Sequence, residues 1–291
     1  MYLSSSLTSG SYNIIVCTAE KNYLVAVSVV TVISDLEDLQ AFDAAINAAT
    51  PADPLTGYYV LSADIVVPDD SGFIMGNYSS AGNGYWPIDD ESDVFAGTFD
   101  GRGYTISGLK VGDSGIFGNM VGATVKNVSL VDIYAYGNSE EGVTVKYGSN
   151  ILAGMVDKTT IENVFVSGSI SGNGGNGWYS GVMFDVQNTT IRNSVFEVEV
   201  RGELARYSSA MGLLRTNTYS NVVLLTTATA IYDNNSAQDV ADSPDATNFR
   251  VYADVAAAVA GEEFGFGSFT KDGSGNILFN GEIVVAAEAA A

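Results

Sequence analysis

Histidine is absent from the 291-residue chain. That one absence excludes Ser-His-Asp triads, imidazole metal sites and histidine general bases together. Cysteine occurs once, at Cys17, so neither an intramolecular disulfide nor a cysteine-rich zinc site can form. Because it lies in the apolar run YNIIVCTA, Cys17 reads as a small buried hydrophobe. Basic residues are scarce too. Twelve Lys+Arg against 34 Asp+Glu give a net charge of -22, which repels a phosphate backbone and excludes nucleic acid as a partner. The same charge keeps a Gly-rich, apolar chain in solution and suits neutral glycans or cations as ligands. Long hydrophobic runs are missing: nothing approaches the roughly 18 apolar residues needed to span a bilayer, so membrane insertion is not expected. The opening MYLSSSLTSG also lacks the basic start and apolar stretch of a signal peptide. The chain is then either an excerpt of a longer exported protein or reaches its destination by assembly or lysis.

What the chain does contain is strand-forming sequence. Residues 11–33, rich in Val, Ile and Tyr with a polar AEKN turn, read as two or three strands, too few to fold alone. SDLEDLQAFDAAINAA follows, with Ser34 and Glu37 as a capping box and Leu36, Leu39, Phe42 and Ile46 at helical spacing. It reads as a helix over 34–49, ended by Pro51 and Pro54. Beyond it, strand-like GYYVLSADIVV leads into a long Gly, Ser and Asp-rich insertion.

Repetition then dominates. Four segments align on Asn127, Asn163, Asn193 and Asn221. Three residues before each Asn stands Thr124, Thr160, Thr190 or Thr218, and two before it Val125, Ile161, Ile191 or Tyr219. FAGTFDGRGYTISGLKV fits the same frame with Gly108 in the Asn position, making five copies. No copy can bury its apolar side alone, but stacked copies can, as a parallel β-helix whose like residues form ladders about 4.8 Å apart. Asparagine suits such a corner because it tolerates left-handed backbone and its amide can bond from coil to coil. The residues just before each Asn, Lys126, Glu162, Arg192 and Ser220, should face outward and place opposite charges on adjacent rungs. The helix would cap one open end. NFRVYADVAAAVAGEEF reads as holding a short helix and NILFNGEIVV as a hairpin turning at Asn280-Gly281, a region expected to close the other end.

These copies, above all F-x-G-T-F-D-G-x-G-Y-T-I-S-G-L followed by GIFG and ATVKNVSLV, resemble the GLUG-type repeats of bacterial cell-surface and adhesin-like proteins. The resemblance covers residues 57–230. It implies a right-handed parallel β-helix of pectin-lyase-like architecture in a surface-exposed, glycan-facing or scaffolding role. The strands before the helix resemble the end of a bacterial immunoglobulin-like domain, a neighbour met in such proteins and in phage structural proteins. The fold expected is therefore all-β: strands over 1–33, then a β-helix domain over 34–291 with its capping helix at 34–49 and a closing region at 246–291.

Candidate chemistry is sparse. GTFDGRGYTISG is not a dinucleotide fingerprint, since strand-like alternation rather than a helix follows its glycines. A polysaccharide lyase or glycoside hydrolase would need paired carboxylates or cations flanking a bond, whereas Asp132, Asp157 and Asp185 fall at different offsets in their repeats. Lys126 and Arg192 read as ladder residues. The chain is accordingly expected to be non-enzymatic. No cofactor is expected; if any metal binds, Asp89, Asp90 and Asp93 in PIDDESD are the candidate ligands, for Ca²⁺. Trp178, Tyr179 and Tyr207, with Tyr85 and Trp86, stand among Gly and Ser where exposed rings would stack on sugars. The expected function is a structural or adhesion module at a cell or virion surface, its partners glycans or other subunits of the assembly. A phage capsid fibre or decoration protein is the alternative within that class, and the polysaccharide enzyme the alternative outside it.

Overall fold

A computed structural model of the chain describes residues 10–18, 21–76, 93–112, 114–135, 150–172, 181–202, 210–214, 216–228 and 249–286. Strands dominate it. Two parallel sheets take up the central part of the chain. The larger has 12 strands, and its main path runs in space from Phe249–Tyr252 through Thr218–Leu225, Thr190–Gly202, Thr160–Gly172, Thr124–Ala135, Thr98–Asp100 and Tyr58–Leu61 to Thr31–Ile33. The smaller has five: Leu213–Leu214, Gly181–Gln187, Asn150–Asp157, Asn119–Val121 and Val94–Phe95. From Val94 to Leu225 the chain visits the two sheets alternately, always in the same direction. Their inward residues, among them Val125, Met120, Val166, Val186 and Phe196, meet in one buried core.

Two corners set this path. At the first, a short link takes the chain from the small sheet to the large one, with Gly122, Lys158 and Asn188 in left-handed backbone. Behind them Thr159 and Thr189 are buried, and the chain bonds from winding to winding there: the Ala123 amide donates to Thr159 Oγ1 and the Thr159 amide to Thr189 Oγ1, both at 3.3 Å. The Thr189 amide donates in turn to Asn217 Oδ1 at 2.9 Å. At the second corner stand Asn127, Asn163, Asn193 and Asn221, with φ of 53°, 55°, 49° and 54°. Most L-residues enter that region at a cost of about 1–2 kcal/mol, and asparagine enters it more readily.

The expected register holds over these four copies. Thr124, Thr160, Thr190 and Thr218 are successive partners, as are Val125, Ile161, Ile191 and Tyr219. Asn163 Nδ2 donates to Asn127 Oδ1, and Asn221 Nδ2 to Asn193 Oδ1, each at 2.9 Å. Between the two pairs a turn from the C-terminal region enters the ladder: the Ser268 amide donates to Asn163 Oδ1 at 2.7 Å, and Asn163 Nδ2 also donates to Ser268 Oγ. In the outward row beside the asparagines, Arg192 pairs with Glu162 at 2.8 Å and Lys126 with Asp100 at 3.5 Å.

Gly108 does not belong to this ladder. Thr98, Phe99 and Asp100 pair with Thr124, Val125 and Lys126, whereas Thr105 pairs with Ser129. The first winding therefore turns at Gly101, whose amide donates to the Lys126 carbonyl. An added Cβ on Gly101 would lie 2.5 Å from the Asn127 carbonyl oxygen. Gly108 serves a later bend beside Val131, the residue before left-handed Asp132. The polar partner below Asn127 is Asp100, which accepts from Asn127 Nδ2 at 3.0 Å and from Tyr58 Oη at 2.9 Å. Burial alone would raise the Asp100 carboxyl, but these donors, the Arg102 amide and the Lys126 charge hold it below the usual carboxylate range.

The helix α1 spans Leu36–Asn47 rather than 34–49, and its cap lies one residue beyond the expected box. Asp35 is the N-cap, accepting from the Asp38 amide, and Asp38 reaches back to the Ser34 amide and hydroxyl. Aspartates at both positions satisfy the orphan donors as a Ser/Glu pair would. Leu39, Phe42 and Ile46 are buried; Phe42 lies 4.9 Å from Tyr59 and 5.5 Å from Phe99, ring centre to ring centre. Before α1, Gly10–Cys17 and Asn22–Val29 form an antiparallel hairpin of their own, and Thr31–Ile33 joins the large sheet beside Tyr58–Leu61. Cys17, expected to be buried, is exposed at the end of that hairpin.

The C-terminal region divides. Phe249–Tyr252 extends the large sheet at its far end, followed by the helix α2, Val255–Gly261. The strands Phe269–Lys271, Ile277–Phe279 and Glu282–Val285 form an antiparallel sheet, with the last two joined at left-handed Asn280 and Gly281 as anticipated. This sheet does not close an end. Phe264, Phe269, Ile277 and Phe279 pack on Phe165, Val195, Val223 and Leu225, making a second core on the outer face of the large sheet. Asn280 lies against Gly103, so the C-terminal sheet reaches the first winding as well.

Replacing Asn163 by Ala should cost about 2–4 kcal/mol, from left-handed strain together with lost hydrogen bonds to Asn127 and Ser268. Asn163→Gly should cost less, because only the bonds are lost. Denaturant midpoints of the two variants would reverse that order if the corner were held by side-chain packing instead.

Candidate functional site

Residues alternate along the long strands of the large sheet. In Thr160–Gly172, Val164, Val166 and Ile170 face the main core, whereas Phe165 belongs to the outer core. Thr190–Gly202 repeats the arrangement with Phe196 and Val198 inward and Val195 outward. Farther along each strand the outward residues become polar: Ser167 and Ser169 on one, Glu197, Glu199 and Arg201 on the next. The change coincides with the limit of the C-terminal cover, since an outward position needs an apolar side chain only where something packs on it.

Here the outer face forms a groove of about 330 Å³, lined by Asp132, Ile133, Tyr134, Ser167, Gly168, Ser169, Glu197, Glu199 and Arg201. Its floor is the Ser167–Ser169 segment of the middle strand. Its walls come from the neighbours, because Ile133 pairs with Gly168, and Ser167 and Ser169 pair with Glu197 and Glu199. Gly168 lets the floor approach one wall: a Cβ there would stand 2.1 Å from the Ile133 carbonyl oxygen. Parallel strands lie about 4.8 Å apart, so Asp132 and Glu197, two strands apart, face each other across roughly 10 Å of backbone.

The groove is rich in acceptors. Ser169 is 6% exposed, and among the described residues its hydroxyl has no hydrogen-bond partner. The Asp132 amide donates to Ser167 Oγ at 3.3 Å, but neither the Asp132 nor the Glu197 carboxylate meets a donor or a cation among the described residues. Burial first, and then the Asp132 charge, push the Glu197 carboxyl above its ordinary value. Among the described residues, its one cationic side chain stands at the rim. Arg201 Nε pairs with Glu199 at 2.9 Å, and its guanidinium lies 5.7 Å from the centre of the Tyr134 ring.

The aromatic candidates Trp178, Tyr179, Tyr207, Tyr85 and Trp86 lie outside the described residues, as do Asp89 and Asp90. Asp93 is described and buried. Its amide donates to the Ala49 carbonyl after α1 and its carbonyl accepts from the Asn119 amide, so its backbone serves as a structural corner. Among the described residues no three acidic side chains are grouped to hold a metal ion. Asp157 pairs with Lys158 and accepts from Asn188 Nδ2, and Asp185 is buried on a strand of the small sheet. Only Asp132, of the three aspartates compared in sequence, reaches the groove. Its partner Glu197 was not singled out there, because the two are 65 positions apart and meet only through the strand register. The signal available in sequence was the pair of outward polar runs SGS and EVEVR at matching distances after Asn163 and Asn193.

No family model matches the chain and no solved structure matches it. It is similar to Halomucin from Haloquadratum walsbyi, with 33% identity over 150 residues. The likeness covers 48% of this chain and 1% of the relative, so the chain spans a very small part of that protein's length. No helix among the described residues is long and apolar enough to cross a membrane.

A raised carboxyl pKa gives the sign of a pH effect. Glu197 favours the fold below its unfolded pKa and loses that contribution as pH rises through its higher folded value. Glu197→Gln should therefore match the parent protein in acid and exceed it in stability at neutral pH. Urea midpoints taken across that range check this, and equal midpoints at every pH would show that Glu197 is not strained by its surroundings.

Proposed function

We propose that the chain is a surface-exposed structural and adhesion module built as a right-handed parallel β-helix. The windings alternate between two parallel sheets around one core, and crossovers between parallel strands are right-handed in about 98% of cases. Stacked windings of this kind make a stiff body with long lateral faces, suited to holding side chains in fixed positions toward a partner.

One observation carries the reading: charged groups on successive windings pair with one another and serve the stacking. Asp100 with Lys126, and Glu162 with Arg192, join successive rungs, and Asp157 accepts from Asn188 one winding on. Side chains committed to register are unavailable for chemistry, which favours scaffolding and display over catalysis. Similarity to a relative named as a mucin, and a net charge of -22 that keeps such surfaces from coalescing, support a position facing solvent. Uncharged glycans are among the partners that this charge admits.

Antibodies raised against the purified chain should label intact source cells or particles, and mild external proteolysis should remove the label. Labelling that requires permeabilisation would overturn the surface reading. Release of new reducing ends or unsaturated products from any polysaccharide would overturn the non-enzymatic one.

A further inference from the structure

We propose that the groove between Asp132 and Glu197 is a binding site for one or two units of an uncharged saccharide, whose hydroxyls donate to the two carboxylates and to Ser169. The inference rests on the adhesion reading only in taking a saccharide as the partner.

Among the described residues, the groove lacks a cationic donor where it is deepest. Asp132, Ser169 and Glu197 present acceptor oxygens without a donor or cation among the described residues. An unpaired polar group is costly when buried, so a half-covered cluster of acceptors is matched best by a ligand rich in O–H groups. Sugars carry such donors on adjacent carbons, at spacings that let one ring span neighbouring strands. Rim and floor fit the same ligand. Arg201, exposed at the rim and paired through Nε with Glu199, has further guanidinium N–H groups for ring or hydroxyl oxygens, and Tyr134 supplies an apolar surface beside it. At about 330 Å³ the groove lies at the small end of ligand pockets, enough for a short saccharide rather than a long chain segment.

Competing ligands fit less well. Phosphorylated or uronic sugars would bring negative charge against two unpaired carboxylates. A divalent cation needs six or more oxygen ligands, typically with several carboxylates converging, and no trio of acidic residues converges among the described residues. A flat aromatic ligand would find a floor of serine and glycine instead of an apolar slot.

The isotope-labelled 291-residue chain, titrated with glucose, galactose and mannose, and separately with glucuronate and with Ca²⁺, tests this by two-dimensional NMR. At least one neutral sugar should give saturable shifts at the amides of Asp132, Ser169 and Glu197, with millimolar affinity. Ser169→Ala and Glu197→Gln should each weaken that binding about tenfold while leaving the amides of the Asn127–Asn163 corner in place. Glucuronate should bind at least about tenfold more weakly than the corresponding neutral sugar. Four results would each overturn the assignment: no saturable shift with any neutral sugar, binding untouched by both substitutions, glucuronate binding as tightly, or Ca²⁺ alone saturating these amides. Surface labelling without sugar binding would remove this site and leave the adhesion reading standing.

Discussion

The fold depends on a single kind of corner. At Asn127, Asn163, Asn193 and Asn221 the backbone turns left-handed, and the side chain that tolerates the turn also carries the amide that reaches the next winding. Conformation and register are thus set by one residue type at one position. A shift of one residue in a parallel ladder would send every inward side chain to the outer face. Here it would also part the amides and place Lys126 and Arg192 away from Asp100 and Glu162. The buried Thr159 and Thr189 at the opposite corner apply the same logic with hydroxyls, so each winding is held at both ends of its short central strand.

From that register follows the division of the outer face. Phe165, Val195 and Val223 form an apolar row because the strands are level, and a level apolar row needs a cover. The C-terminal sheet supplies it, and Ser268 locks the cover in place by entering the asparagine ladder itself. Gly267 can approach there because it has no side chain: a Cβ would lie 2.6 Å from Asn163 Oδ1. Beyond the cover the same strands carry Ser169, Glu197 and Arg201, and the outer face becomes a groove. Groove and cover are two ends of one alternation.

The stacking was legible in sequence where Thr, an apolar residue and Asn recur together at 124–127, 160–163, 190–193 and 218–221. It was misread at the first winding. There Asp100 and Gly101 take over the polar and the conformational work that asparagine does elsewhere, and the later TIS segment imitates the Thr-apolar pattern one bend too far along. The cap of α1 slipped by one residue for a related reason, since two aspartates can do what Ser and Glu do. The second core and the groove were not read, although their residues lie in plain alternation. An outward Phe165 and an outward Glu197 differ only in what another part of the chain lays over them. That depends on a sheet about a hundred residues downstream of Asn163, which no local pattern announces.

Why the groove stays acidic follows from the supply of cations. Twelve basic residues must serve 34 acidic ones, and several are placed where they hold the structure: Lys126 and Arg192 between rungs, Arg250 on Glu262, and Lys271 on carbonyls at the end of α2. Arg201 remains near Asp132 and Glu197, but it turns to Glu199 at the rim. Two carboxylates with a raised pKa on one of them destabilise the empty fold. Serine or threonine at either position would remove that cost without disturbing the alternation, because the outward row already accepts Ser167 and Ser169. The groove is therefore the place where the stack stops satisfying its own polar groups, and where a partner carrying hydroxyl donors gains the most by arriving.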